Sequence, residues 1–65
     1  MPIIRIEMFE GRDASIKQEL VQTFTKEMAR LTGCSEASVN VVISEVKKEN
    51  WGLGGELASI KFPDK

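Results

Sequence analysis

The sequence predicts an α+β fold, a single β-α-β unit with two parallel strands, one long helix and a C-terminal hairpin or short strand. Three observations predict it. Residues 3–9 (IIRIEMF) alternate apolar and polar, residues 13–32 carry an apolar stripe at helical spacing, and residues 39–46 (VNVVISEV) alternate again. A crossover as long as this helix favours parallel pairing of the strands that flank it. At 65 residues the whole chain, 1–65, is one domain.

In the first strand Ile4, Ile6 and Met8 make one face and Arg5 and Glu7 the other, with Ile3 and Phe9 adding apolar ends to the second face. Gly11 then breaks the strand. Asp13 is an N-cap candidate, because a carboxylate there accepts from free amides of the first helical turn. On a 100° wheel Ile16, Leu20, Val21, Phe24, Met28 and Leu31 fall within about 140°. Lys17 intrudes on that arc, which places its stem along the apolar face and its ammonium in water. Phe24 and Met28 read as core residues, not as a ligand box. Gly33 suits the left-handed position past a helix end. Residues 34–38 are a short connection, one helical turn capped by Ser35. In the second strand Val39, Val41 and Ile43 make one face and Asn40, Val42 and Ser44 the other. KKENWGLGG is rich in turn signals, ELASIKF reads as a short strand or one helical turn, and a polar tail follows.

Composition narrows the chemistry. The chain has no His and one Cys. Triads and dyads built on His are excluded, as are imidazole metal ligands, an intramolecular disulfide and a thiolate zinc site. No cofactor or metal is expected. Lys plus Arg number 9 and Asp plus Glu 10, a net charge of −1 that argues against a nucleic-acid partner. The cluster Lys47-Lys48, beside Glu45 and Glu49, reads as a solvated turn. No segment has the length and apolarity to span a bilayer. The start MPIIRIEMFEGR lacks a signal-peptide pattern, so a cytoplasmic setting is expected. A domain this small buries only about 60% of its unfolded surface, so oligomerisation is the expected remedy.

Three motifs bear on function. Gly52, Gly54 and Gly55 lack the Lys-Ser/Thr of a phosphate loop and read as a hairpin. Cys34 reads as a structural or incidental thiol. Arg12, between strand and helix, suits either a surface ion pair with Glu10 or Asp13 or a bidentate grip on a carboxylate. Pro2 has two readings as well. It can start an edge strand where no amide is needed. With Met1 removed it is also a ring-held secondary amine, and apolar surroundings would lower its pKa towards the range a general base needs.

Taken in order, Met1-Pro2-Ile3, Glu10-Gly11-Arg12, Ser38-Val39, Val41-Val42-Ile43-Ser44-Glu45 and Trp51-Gly52-Leu53-Gly54-Gly55-Glu56-Leu57-Ala58-Ser59 resemble the 4-oxalocrotonate (2-hydroxymuconate) tautomerases of the tautomerase superfamily over essentially the whole chain. The resemblance implies a β-α-β protomer in a homohexamer, a trimer of dimers, with cofactor-free sites at subunit boundaries. It implies an enol–keto isomerase of unsaturated 2-hydroxy/2-oxo acids such as 2-hydroxymuconate. Pro2 would be the base, Arg12 would hold a substrate carboxylate, and Phe9 and Trp51 would form the apolar wall, Trp51 standing where the family usually has Phe. Asn40 stands where the family has a second arginine, so it offers a neutral donor in place of a charge. That departure keeps two alternatives in play, an altered hydratase-like main reaction and a non-catalytic oligomeric homologue. Leu53 and Ser38 provide no carboxylate at positions where water-activating relatives use one. Arg5, on the first strand, is a candidate to compensate for Asn40.

Overall fold

A computed structural model describes residues 1–63; the last two residues of the expected polar tail lie outside the described residues. The element order is β1 (Ile3–Phe9), α1 (Ala14–Thr32), a 3-10 turn (Glu36–Ser38), β2 (Asn40–Val46), a second 3-10 turn (Lys48–Asn50), β3 (Gly52–Leu53), β4 (Glu56–Leu57) and α2 (Ala58–Lys61). β1 and β2 pair in parallel, from Ile3 opposite Asn40 to Phe9 opposite Val46. β3 and β4 form a short antiparallel hairpin. Its turn is Gly54-Gly55, with φ 64° and 89°, values that suit a type I′ turn and that L side chains adopt at a cost.

Local chemistry sets the ends of α1. The Asp13 carboxylate accepts from the Ile16 amide at 3.0 Å and from the Ser15 hydroxyl at 2.8 Å. These two bonds hold the Asp13 carboxyl below its usual pKa, the amide contributing most. Gly33 stops the helix at φ 78°, donating its N–H to the Ala29 carbonyl at 2.9 Å. The connection after it does form a helical turn, but the Ser35 side chain does not cap it; the Ser38 hydroxyl instead donates to the Ser35 carbonyl at 2.8 Å.

α1 covers the sheet face carrying Ile4, Ile6, Met8, Val41 and Ile43, all half-buried. Lys17 does not reach bulk water as the wheel suggests. It pairs with Glu45 of β2 across this same face, and both side chains are about two-thirds buried. The helix residues turned inwards are Lys17, Leu20, Val21, Thr25, Met28 and Ala29, while Ile16, Phe24 and Leu31 stay exposed. The contact face is therefore rotated about 60° from the centre of the apolar stripe. Two strands are too narrow to cover a stripe this wide, and the half-buried face takes in the small Thr25 and Ala29.

Among the described residues Ala58 alone is fully buried. The radius of gyration is 14.9 Å, against about 11 Å for a compact chain of this length. The extents of 43 × 25 × 13 Å are those of one sheet and one helix, lengthened by a hairpin that does not fold back on them. No described helix is long and apolar enough to cross a membrane.

Candidate functional site

The candidate residues fall into two groups at opposite ends of the β1–β2 ribbon. At the entry end, the Asn40 amide donates to the Pro2 carbonyl at 2.9 Å. Pro2 is half-buried, and Met1 ahead of it is 90% exposed. The Asn40 side chain belongs to the sheet face that α1 leaves open. Arg5 lies on that face one row further along, opposite Val42.

At the far end, the rings of Phe9 and Trp51 meet edge to face, centroids 4.6 Å apart at 64°. Such a pair prefers this T shape because a positive ring edge meets a negative ring face. Lys48 stands 5.8 Å from the Phe9 centroid, and its ammonium donates to the Phe62 carbonyl at 2.7 Å. This is not the solvated turn suggested by its charged neighbours. The Ala58 amide donates to the Trp51 carbonyl at 2.7 Å, so α2 clamps the backbone that carries the indole. Trp51 also lines a shallow cleft of about 260 Å³ with Glu7, Val46, Asn50 and Gly52.

Arg12 follows the Gly11 bend, where φ is 119°, and is exposed. Among the described residues it pairs with neither Glu10 nor Asp13, whose carboxylate is taken up by the helix cap. Its guanidinium is therefore open to an anion. The six steps of β1 between Ile3 and Phe9 span about 20 Å. Within one chain the fold thus brings Pro2 to Asn40 and Phe9 to Trp51, and keeps these two pairs apart.

Other groups contribute less. The Thr32 hydroxyl donates to Cys34 Sγ at 3.1 Å and holds the thiol below its usual pKa. Among the described residues, the side chains bonded to this thiol are the hydroxyls of Thr32 and Ser38, neither of them a base. An open apolar groove of about 190 Å³ on α1, lined by Ile16, Leu20, Thr23 and Phe24, holds Glu19 as its one titratable neighbour. No group of three or more Cys, Asp and Glu among the described residues could hold a metal ion. Lys48 and Ala58, both supporting the aromatic pair, escape a reading by motif because their contacts reach across the chain.

Comparison with known proteins gives this geometry a context. The tautomerase enzyme family matches residues 2–60. A 2-hydroxymuconate tautomerase of Pseudomonas putida is 40% identical over 55 residues, covering 85% of this chain and 87% of that protein. A crystal structure of a 4-oxalocrotonate tautomerase homologue superimposes with a TM-score of 0.85 at 36% identity, covering 91% of this chain and 94% of its own. A heterohexamer 4-oxalocrotonate tautomerase from Chloroflexus aurantiacus gives a TM-score of 0.86 at 32% identity, covering 91% and 95%. With the family match spanning nearly the whole chain and the same β-α-β framework in these structures, the chain belongs to the tautomerase enzymes, isomerases of the 4-oxalocrotonate tautomerase family.

Proposed function

We propose that the chain is a cofactor-independent enol–keto isomerase of unsaturated 2-hydroxy/2-oxo acids such as 2-hydroxymuconate, with Pro2 as general base once Met1 has been removed. The observation that carries this reading is that the family match begins at Pro2. Met1, at 90% exposure, is open to an aminopeptidase.

In this mechanism the proline nitrogen takes the proton of the 2-hydroxyl group. The O–H electron pair becomes the C=O bond, the conjugated double bonds shift, and the distal carbon takes the proton back from the prolinium. Neither metal nor cofactor enters. Arg12 grips a substrate carboxylate with a charge-assisted pair of bonds. Phe9 and Trp51 exclude water and disfavour the charged amine. Asn40 gives a neutral hydrogen bond beside Pro2.

Since about 20 Å of strand separates Pro2 from the aromatic pair, neighbouring copies must supply the missing half. A cytoplasmic homohexamer, built as a trimer of dimers, meets that need. The experiment is ketonisation of 2-hydroxymuconate and phenylenolpyruvate by protein whose intact mass shows Met1 removed, beside Pro2→Ala. A loss of about 10²-fold or more is expected. Equal rates would sink the proposal.

Asn40 favours a second reading, in which the main reaction differs or the chain is a non-catalytic subunit. Retained Met1 in protein from the native host would support the non-catalytic form, because the Pro2 nitrogen would then be a tertiary amide.

A further inference from the structure

Residues 10–13 join β1 to α1 and carry Arg12. Within the protomer the middle of this linker has no packing of its own. Arg12 is exposed, and a Cβ added at Gly11 would meet no atom within 4 Å. The two ends are fixed instead, and both fixings run to adjacent residues of β2. At one end the Glu10 amide donates to the Val46 carbonyl at 3.1 Å. At the other the Asp13 carboxylate caps α1, and Lys17, which closes the first turn of that helix, pairs with Glu45.

The helix itself does not call for Lys17. A first turn favours acidic side chains, because its free amides carry partial positive charge. This one holds no acid and ends on a cation. Burial does not account for the pair either. Both side chains are about two-thirds buried, and apolar residues in such a place are often as stable as an ion pair or more so. What the pair adds is direction. An ammonium bonded to a carboxylate oxygen fixes where the first turn sits along β2, whereas apolar burial is non-directional. A displacement of about 1 Å in a group that positions substrate can cost about 10²-fold in rate.

We propose that the Lys17–Glu45 ion pair positions Arg12, holding the linker so that the guanidinium meets a substrate carboxylate. This rests on the reading of Arg12 given above, and the two can fail separately. Lys17 and Glu45 do not touch substrate; they act through Arg12. The test compares wild type, the apolar pair K17M/E45L, the swapped pair K17E/E45K, Arg12→Ala, and K17M/E45L combined with Arg12→Ala.

Removing both partners strands no charge, so K17M/E45L is expected to fold and to melt close to wild type. Its kcat/KM for 2-hydroxymuconate should fall about 10-fold or more, chiefly through KM. The swap should regain most of the loss. In the Arg12→Ala background K17M/E45L should cost less than about twofold, since the group it positions is gone. A wild-type KM in K17M/E45L overturns the proposal. So does a swap that regains nothing, and so does an equal loss in the Arg12→Ala background, which a merely structural role would give. An unfolded K17M/E45L also overturns it, because the pair would then hold the fold and not the linker. A second measurement is independent of turnover, the heteronuclear Overhauser effect at the Gly11 and Arg12 amides. It should fall in K17M/E45L and recover in the swap, and an unchanged value overturns the proposal. A wild type with no turnover but with this pattern at the amides defeats the enzymatic reading alone.

Discussion

Asn40→Arg should raise the turnover of a substrate carrying a carboxylate near Pro2. The Asn40 backbone stays anchored by its 2.9 Å bond to the Pro2 carbonyl, and the side chain is exposed, so the change is confined to the group presented. A hydrogen bond from a charged donor contributes about 1.5–3 kcal/mol, against about 0.5–1.5 kcal/mol for a neutral one. The gain is therefore about 1–1.5 kcal/mol. Against it stands Arg5, the diagonal neighbour on the same face at about 8 Å, where like charges in water repel by about 0.5 kcal/mol. A net gain of about 1 kcal/mol corresponds to roughly a fivefold rise in kcat/KM. The assay is initial-rate ketonisation of 2-hydroxymuconate on Met-processed, assembled protein. Asn40→Gln, which adds length without charge, serves as the control and should change the rate less than about twofold. An unchanged Asn40→Arg rate, or an equal rise in Asn40→Gln, refutes the argument that a missing charge limits this site.

Ala58→Leu should overpack the fully buried contact beneath Trp51. A cost of about 1–3 kcal/mol and a Tm drop of at least about 5 °C are expected, with altered Trp51 fluorescence; an unchanged melt counts against a clamping role. In the hairpin, Gly54→Asn should be tolerated, because Asn adopts the left-handed conformation there. Gly55→Val should destabilise by about 1–2 kcal/mol through the backbone alone, since no atom lies within 4 Å of an added Cβ; equal melts for the two variants would contradict the turn assignment. Acid should loosen α1 through Asp13. Its folded pKa lies below its unfolded value of about 4, so its stabilisation is intact above that value and is lost as pH falls through the folded pKa. In Asp13→Asn this acid limb of the helical dichroism signal should flatten, and an unaltered limb would assign it to other carboxylates.

Legibility in the sequence followed the range of the interaction. The Asp13 cap and the Gly33 stop act over three or four residues, and both are readable from residue type alone. The strands were legible because alternation survives whatever lies above them. The inward face of α1 was not, because it takes in Thr25 and Ala29, which hydropathy does not select, and leaves Ile16, Phe24 and Leu31 exposed. Lys17 with Glu45 and Phe9 with Trp51 are partnerships between distant positions, the first made by the packing of α1 on β2 and the second by the return of the chain after β2 to the end of β1. For the site, the place of Pro2 behind a removable Met1 nominated it, position alone left Arg12 open, and the remaining candidates came through resemblance. The split of the candidates between the two ends of β1 depends on which residues pair across the sheet, which no single segment records.

That split has a consequence for how activity is inherited by the assembly. Under the proposed mechanism, a chain carrying Pro2→Ala and a chain with a damaged Trp51 would each be inactive alone, yet mixed in one assembly they would complement, because some boundaries would receive both intact halves. Dilution would work in the opposite direction, lowering the rate per chain as boundaries come apart. Turnover would then belong to the junctions and not to the polypeptides, and a defect in one subunit would spoil work shared with its neighbours.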